Sequence, residues 1–396
     1  MIYLDGHSTT PLAPEVFEAM RPYFFERFGN ASQGLHRFNW EAQAGLDQAR
    51  ERLARALGCR DREIVFTSGA TEANHLALLG SVPSLVAMGR RKILSTRIEH
   101  ASVLGALELL SERGFQVEWI PVNAEGCIDP DAYRRMLDRS VGMVSVALAN
   151  HEIGTIQDIK VLSEGAHEFG ALFHTDAVQA FGKLHFTPDS IGADLITLSA
   201  HKLRGPKGVG ALFVRRKDPR VELEPLFLGG GQERGLRPGT PNTPGIVGFG
   251  VAAEIAIREL DRNGAHCRSL RDRLWSRFTQ ELSGIVRNGP SSGLPQNLNM
   301  SIRGVDGAAL FGRLREVAVS NASACLNGTQ DYSQVLTELG VERDLARATL
   351  RFGVGPWNTE DEIDRAAAEI ITVVEELRRM ERNFALDTGT PWINGE

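Results

Sequence analysis

Between residues 60 and 215 short apolar runs recur, each followed by a longer stretch of mixed polarity. Glu63-Ile64-Val65-Phe66, Lys92-Ile93-Leu94-Ser95 and Val117-Glu118-Trp119-Ile120 open the series. Val144–Leu148, Ala171–His174 and Asp194–Leu198 continue it. Runs that are apolar and partly β-branched, rather than alternating, indicate strands buried on both faces. The intervening segments, such as 129–138 and 158–169, read as helices. Strand and helix in alternation predict an α/β fold with a mostly parallel sheet covered on both sides. Such sheets bind ligands just beyond the carboxyl ends of their strands. The polar residues that follow each run are therefore the first candidates for chemistry.

The pattern changes after Gly231-Gln232-Glu233-Arg234-Gly235. A long helical run begins near Pro244 and continues to about Asn263. The final third has strands and helices of its own. This divides the 396 residues into a large domain, 13–260, and a smaller α+β domain, 261–385 together with 1–12. Residues 386–396 are polar, contain Gly and Pro, and read as a disordered tail.

Composition narrows the function classes. A net charge of -6 argues against a protein that binds nucleic acid by neutralising phosphates. No apolar stretch approaches the roughly 18 residues of a membrane span. Met1-Ile2-Tyr3-Leu4-Asp5 lacks the basic and apolar regions of a signal peptide. The four cysteines, Cys59, Cys127, Cys267 and Cys325, lie far apart and form no CxxC pair. Neither a disulfide framework nor a zinc site is expected, and the expected compartment is the reducing cytoplasm.

The chemistry centres on Lys202 and Asp176. Lys202 follows the small, polar turn Ser199-Ala200-His201, and Asp176 stands just past an apolar strand. An amine that holds an aldehyde and a carboxylate that keeps a pyridine nitrogen protonated are what pyridoxal 5'-phosphate (PLP) requires. Thr67-Ser68-Gly69-Ala70-Thr71-Glu72 follows a strand and opens a helix, so its N–H groups and the Thr71 hydroxyl could cradle phosphate. An ordinary capped turn would look the same. Ser199 and His201 could add to that cradle. His100, after another strand, could stack on the ring and relay protons, or be a satisfied polar residue at a strand end. Gln179, expected on the first turn of the next helix, could reach the ring hydroxyl. Arg351 opens a short strand-like run; its fork could grip a substrate carboxylate or form a surface salt bridge.

Ser320-Asn321-Ala322-Ser323-Ala324-Cys325-Leu326-Asn327-Gly328 is rich in small and polar residues. It reads as a mobile, exposed loop, an unusual setting for a free cysteine and one where a thiol can react. Cys59, Cys127 and Cys267 have no such setting and are expected to be inert.

Several motifs in order complete the picture: Tyr3-Leu4-Asp5, Thr9-Thr10-Pro11, Phe28-Gly29-Asn30, Thr67 to Asn74, Glu99-His100 and Glu152-Ile153-Gly154. His174 to Gln179, Ser199 to Lys202, Gly229 to Thr240, Ser323-Ala324-Cys325 and Arg351 follow. Over nearly its whole length the chain resembles the cysteine desulfurases, PLP-dependent fold type I enzymes of the class V aminotransferase superfamily. The resemblance implies conversion of L-cysteine to L-alanine. Sulfur passes to an enzyme persulfide and then to an acceptor or cluster-scaffold protein, for iron–sulfur cluster or thio-cofactor synthesis. It implies that Lys202 holds the aldehyde and carries a proton, that Asp176 pairs with the ring nitrogen, and that His100 stacks on the ring. Ala70, Thr71, Ser199 and His201 would bind phosphate, joined by Thr240 from the neighbouring subunit of a homodimer. Gln179 and the residue at position 151 would meet the ring hydroxyl, and Arg351 and Asn150 the substrate. Cys325 would be the sulfur acceptor, with no resident metal, though it could contact a cluster transiently. Leu326 to Leu336 resembles the long cysteine loop of the cluster-assembly type.

Three features depart from the family pattern: His151 for a usual Asn, the tripeptide Gly6-His7-Ser8, and Pro238. An unperturbed histidine at 151 would titrate near ~6.5 and make the cofactor site pH-sensitive. A selenocysteine lyase or another class V aminotransferase would share Lys202 and Asp176, but an aminotransferase gives no reason for Cys325.

Overall fold

The computed structural model describes residues 1–31, 34–218, 220–321 and 333–388, the last seven of these by backbone alone. The chain opens on the two-residue strand β1 (Ile2–Tyr3). Seven strands then build one sheet: β2 (Ile64–Thr67), β3 (Lys92–Ser95), β4 (Gln116–Trp119), β5 (Val141–Ser145), β6 (Leu172–Asp176), β7 (Leu195–Ser199) and β8 (Gly210–Val214). Their spatial order is β2-β8-β7-β6-β5-β3-β4. The pairs from β4 through β7 are parallel, and β8 runs antiparallel between β7 and β2. The apolar runs place six of these strands. β8 is the one they leave out, because it returns beside β7 with only one 3-10 turn, Ala200–Lys202, and no α-helix between them.

Both faces are covered, which is why every residue of β5, β7 and β8 is buried. On one face the helices Arg37–Leu57 and Thr243–Arg258 close a core around Leu53, Phe66, Phe173, Phe213 and Phe249. On the other, Ala70–Gly80 and Ala101–Glu112 pack Leu76, Val103 and Leu107 against Ile93, Met143 and Leu212.

The helical run expected to reach Asn263 is two helices. Thr243–Arg258 stops at Glu259, whose φ of -104° and ψ of 7° break the ladder, and Leu260–Glu281 starts immediately after. That second helix covers another sheet. Its strands are β9 (Ile285–Arg287), β10 (Asn297–Ile302), β12 (Ser320–Asn321) and β13 (Thr349–Gly353), antiparallel in the order β12-β13-β10-β9. The short β11 (Val317–Ala318) pairs with β1 in parallel. Leu274, Phe278, Met300, Phe352 and Ile370 form a separate core here, joined by Ile2 and Leu4 from the first residues. The helix Glu360–Thr388 runs into the segment read as a tail, and 389–396 lie outside the described residues. Among the described residues no helix is long and apolar enough to cross a membrane.

Candidate active site

A cavity of about 560 Å³ opens beyond the carboxyl ends of β6 and β7. Its walls come from three places. The large sheet supplies the strand ends and the turns after them. The segment His7–Thr9 crosses from the second core, and β13 of the small sheet contributes Arg351.

Lys202 closes the one-turn helix Ala200–Lys202 after β7, and its Nζ donates to the backbone carbonyls of His7 and Ser8. Asp176 is the last residue of β6. Its Oδ1 accepts the Val178 N–H (2.9 Å) and its Oδ2 the Asn74 amide (2.9 Å). The carboxylate is thus fixed in orientation at the floor of the cavity. At one wall the helix Ala70–Gly80 begins with no side-chain cap, so its first N–H groups are open to an acceptor. Ser68, Gly69, Ala70 and Thr71 line the cavity there, with Ser199, His201 and Lys207. β8 can lie this close only because residue 210 is glycine: a Cβ would sit 2.6 Å from the Gly69 carbonyl carbon.

His100 caps the helix Ala101–Glu112, its Nδ1 accepting the Ser102 N–H at 3.1 Å. The neutral ring therefore carries its proton on Nε2. Burial holds His100 below its usual pKa, with Asp176 pulling the other way. His151 stands edge-on to it, ring centroids 5.3 Å apart, and also lines the cavity. Burial, and then the charges of His100 and Arg351, hold His151 well below 6.5. This corrects the expectation that it titrates near ~6.5: the ring is neutral and resembles the asparagine it replaces. His151→Asn is accordingly expected to leave the pH profile of activity unshifted. A profile whose acidic limb moves by half a unit or more, about threefold in rate at fixed pH, would contradict this.

Gln179 lines the cavity from a turn, not from a helix. Gly182, at φ +71°, ends the turn before a helix can form. Gln179 Oε1 accepts from Lys183 Nζ (3.2 Å) and lies 3.1 Å from His7 Nδ1. Asn297 donates to His7 Nε2 at 3.0 Å, which leaves the proton on Nδ1, facing Gln179. His7, 1% exposed, thus joins the large sheet to β10. Sequence reasoning noticed Gly6-His7-Ser8 only as a departure. Nothing local marks a contact between residues 172 positions apart.

Arg351 is 2% exposed and is not at the surface. Nη2 donates to Ser8 Oγ (2.8 Å) and Asp5 Oδ1 (3.2 Å), Nη1 to the His151 carbonyl (3.3 Å), and Nε has no partner. Asn150 does not line the cavity. Its Oδ1 accepts the N–H groups of Glu152 and Ile153, and its Nδ2 donates to the Ile98 carbonyl. The side chain expected to meet substrate instead shapes the turn that carries His151. Thr240 is exposed and outside this chain's cavity. Cys325, and Leu326–Tyr332 of its loop, lie outside the described residues. Burial raises the thiol pKa of Cys59, Cys127 and Cys267, to about 11 for the last.

The buried titratable groups set an acid limit to stability. His7, His100, His151 and His174 all have folded pKa values below 6.5, about 4 for His174. Their stabilisation is present above pH 6.5 and is lost as pH falls towards the folded values. Glu99 and Glu152 act oppositely. Burial raises them from 4.5 to about 8 and about 7, so their stabilisation is complete below 4.5 and lost as pH rises through those values. Four histidines outweigh two carboxyls between pH 6.5 and 4.5, at roughly 1.4 kcal/mol per pH unit for each uncompensated proton. The Tm of the apoprotein is expected to fall across that window. A flat or rising Tm would mean that these rings are charged in the fold.

Residues 2–366 match the class-V aminotransferase family, and the chain belongs to it. It is similar to the mitosomal cysteine desulfurase of Encephalitozoon cuniculi, 40% identical over 96% of this chain and 88% of that one. It is also similar to the cysteine desulfurase IscS of Anaeromyxobacter dehalogenans, 43% identical over 96% and 94%. Among solved structures, a NifS-like protein superposes with a TM-score of 0.88 at 34% identity, covering 95% of this chain and all of that one. SspA in complex with cysteine superposes at 0.79 and 34% identity, covering 91% and 100%.

Proposed function

We propose that this protein is a PLP-dependent cysteine desulfurase that passes sulfur from L-cysteine to Cys325 and onward to an acceptor protein. The observation that carries the reading is the single cavity that joins Lys202, Asp176, an uncapped helix start and Arg351. That donor set fits PLP. Lys202 would hold the aldehyde, Asp176 the ring nitrogen, and Gln179 with His151 the ring hydroxyl. Ala70, Thr71, Ser199 and His201 would hold the phosphate, at an uncapped helix start whose N–H groups are suited to an anion. When bound, PLP supplies an aldehyde that takes up the substrate amine and a ring that draws electrons from Cα.

The chain's own groups do the rest. Arg351, held by Asp5 and Ser8 and lining the cavity, would offer the rest of its guanidinium to the substrate carboxylate. Lys202 Nζ takes the Cα proton and later returns a proton to the product. Cys325 gives up its thiol proton and its Sγ forms the S–S bond as the substrate Cβ–S bond breaks; a proton is delivered to Cβ, which becomes the methyl group of alanine, so that cysteine and a thiol become alanine and a persulfide. His100, with its proton on Nε2, would donate a hydrogen bond to an anionic sulfur.

A homodimer is supported by an uncovered apolar stretch near the N-terminus, where Phe24, Phe25, Phe28, Leu35, Phe38 and Trp40 are all exposed. An exposed Thr240 is free to serve a neighbour's phosphate site. Protonated, widely spaced thiols suit a reducing compartment such as the cytoplasm. Given L-cysteine and a reductant, the purified protein should release alanine and sulfide in equal amounts. Transfer of the amino group to a 2-oxo acid without sulfide would make it an aminotransferase.

A further inference from the structure

The charged side chains that line the large cavity are Asp176, Lys202, Lys207 and Arg351. Three of them are committed. Lys202 Nζ donates to the carbonyls of His7 and Ser8, Asp176 is held by Val178 and Asn74, and Arg351 pairs with Asp5 at 3.2 Å. Lys207 is exposed, and among the described residues its side chain makes no hydrogen bond or ion pair.

The backbone around Lys207 is fixed. The Val209 carbonyl accepts the Ala200 N–H, and the Gly205 N–H donates to the Ala200 carbonyl, both at 3.1 Å. Residues 205–209 are thereby closed against the turn that follows β7. On the other side Gly210 lies against Gly69, and Gly208 and Val209 share a small pocket with Ser68. Gly208, at φ +75°, lets the chain turn there. The loop that carries Lys207 thus runs between the two halves of the phosphate cradle, Ser68–Thr71 and Ser199–His201. The cradle itself is uncharged. Its backbone N–H groups and the hydroxyls of Thr71 and Ser199 are neutral. Burial, and then the charges of Lys202, Lys207 and Lys183, lower His201 to about 4, so its ring is neutral at pH 7. A phosphate monoester carries a charge of about -1.5 to -2 at that pH.

We propose that Lys207 is a further cofactor-binding residue, whose ammonium supplies the counter-charge to the phosphate of PLP at the rim of this cradle. The proposal rests on the PLP reading above. Hydrogen bonds that carry a charge are roughly twice as strong as neutral ones. A free lysine on a fixed loop can therefore add what the neutral donors lack.

The test compares PLP with pyridoxal, which has the same ring and aldehyde but no phosphate. The full-length protein, freed of cofactor, is titrated with each, and the change in visible absorption gives the dissociation constant. Lys207→Gln is expected to weaken PLP about tenfold and to leave pyridoxal unchanged. Lys207→Arg keeps the charge and should bind PLP within about threefold of wild type. The gap between wild type and Lys207→Gln should narrow at about 1 M salt, where charges are screened within roughly 3 Å. Equal weakening of PLP and pyridoxal overturns the proposal, since it would make Lys207 the amine that holds the aldehyde or a merely structural residue. So does a Lys207→Arg protein as weak as Lys207→Gln. If wild type and Lys207→Gln bind PLP equally, the proposal falls and the cofactor reading stands. If wild type binds no PLP, both fall.

Discussion

Lys202→Ala is expected to lower alanine formation from cysteine by at least about a thousandfold, since one amine both holds the cofactor and carries the proton. The fold should survive. The Nζ contacts are to the carbonyls of His7 and Ser8, which water can satisfy once the side chain is gone. The measurement is steady-state alanine release at saturating cysteine, with circular dichroism as the fold control. Lys207 lines the same cavity and is the alternative amine. Activity within tenfold of wild type would move the role to it.

Cys325→Ser is expected to be as severe, for a different reason. A serine hydroxyl is a far weaker nucleophile towards sulfur than a thiolate, so sulfur release should fall by about a thousandfold or more. Cysteine should still bind, because Arg351 and the cofactor groups are untouched, and the cysteine-induced change in visible absorption should persist. Replacing Cys59, Cys127 or Cys267 by alanine should leave turnover near wild type, since burial keeps those thiols protonated. Loss of turnover in one of these three, with Cys325→Ser active, would reverse the assignment.

The parts of this site that the sequence made legible are local. Asp176 and Lys202 each stand a few residues past a continuous apolar run, and a buried parallel strand announces itself by such a run. The helix start at Ala70 is equally local. What escaped depends on distant or backbone partners. β8 has only a single 3-10 turn and no α-helix before it, so the alternation does not count it. Gln179 sits in a turn because Gly182 takes a positive φ, a choice invisible in side-chain patterning. Asn150 looked available, yet backbone N–H groups two and three residues on consume its oxygen. His151 carries a default pKa in the sequence and loses it only through burial beside His100 and Arg351. His7 matters through Gln179 and Asn297, which only the fold brings to it.

The most direct test of the account is to mix the wild-type holoenzyme with one equivalent of L-cysteine, without reductant, and map persulfide by mass spectrometry while counting alanine. Alanine and persulfide are predicted in equal amounts, with the extra sulfur on Cys325. Alanine without a persulfide on Cys325, or persulfide on Cys59, Cys127 or Cys267, would contradict it.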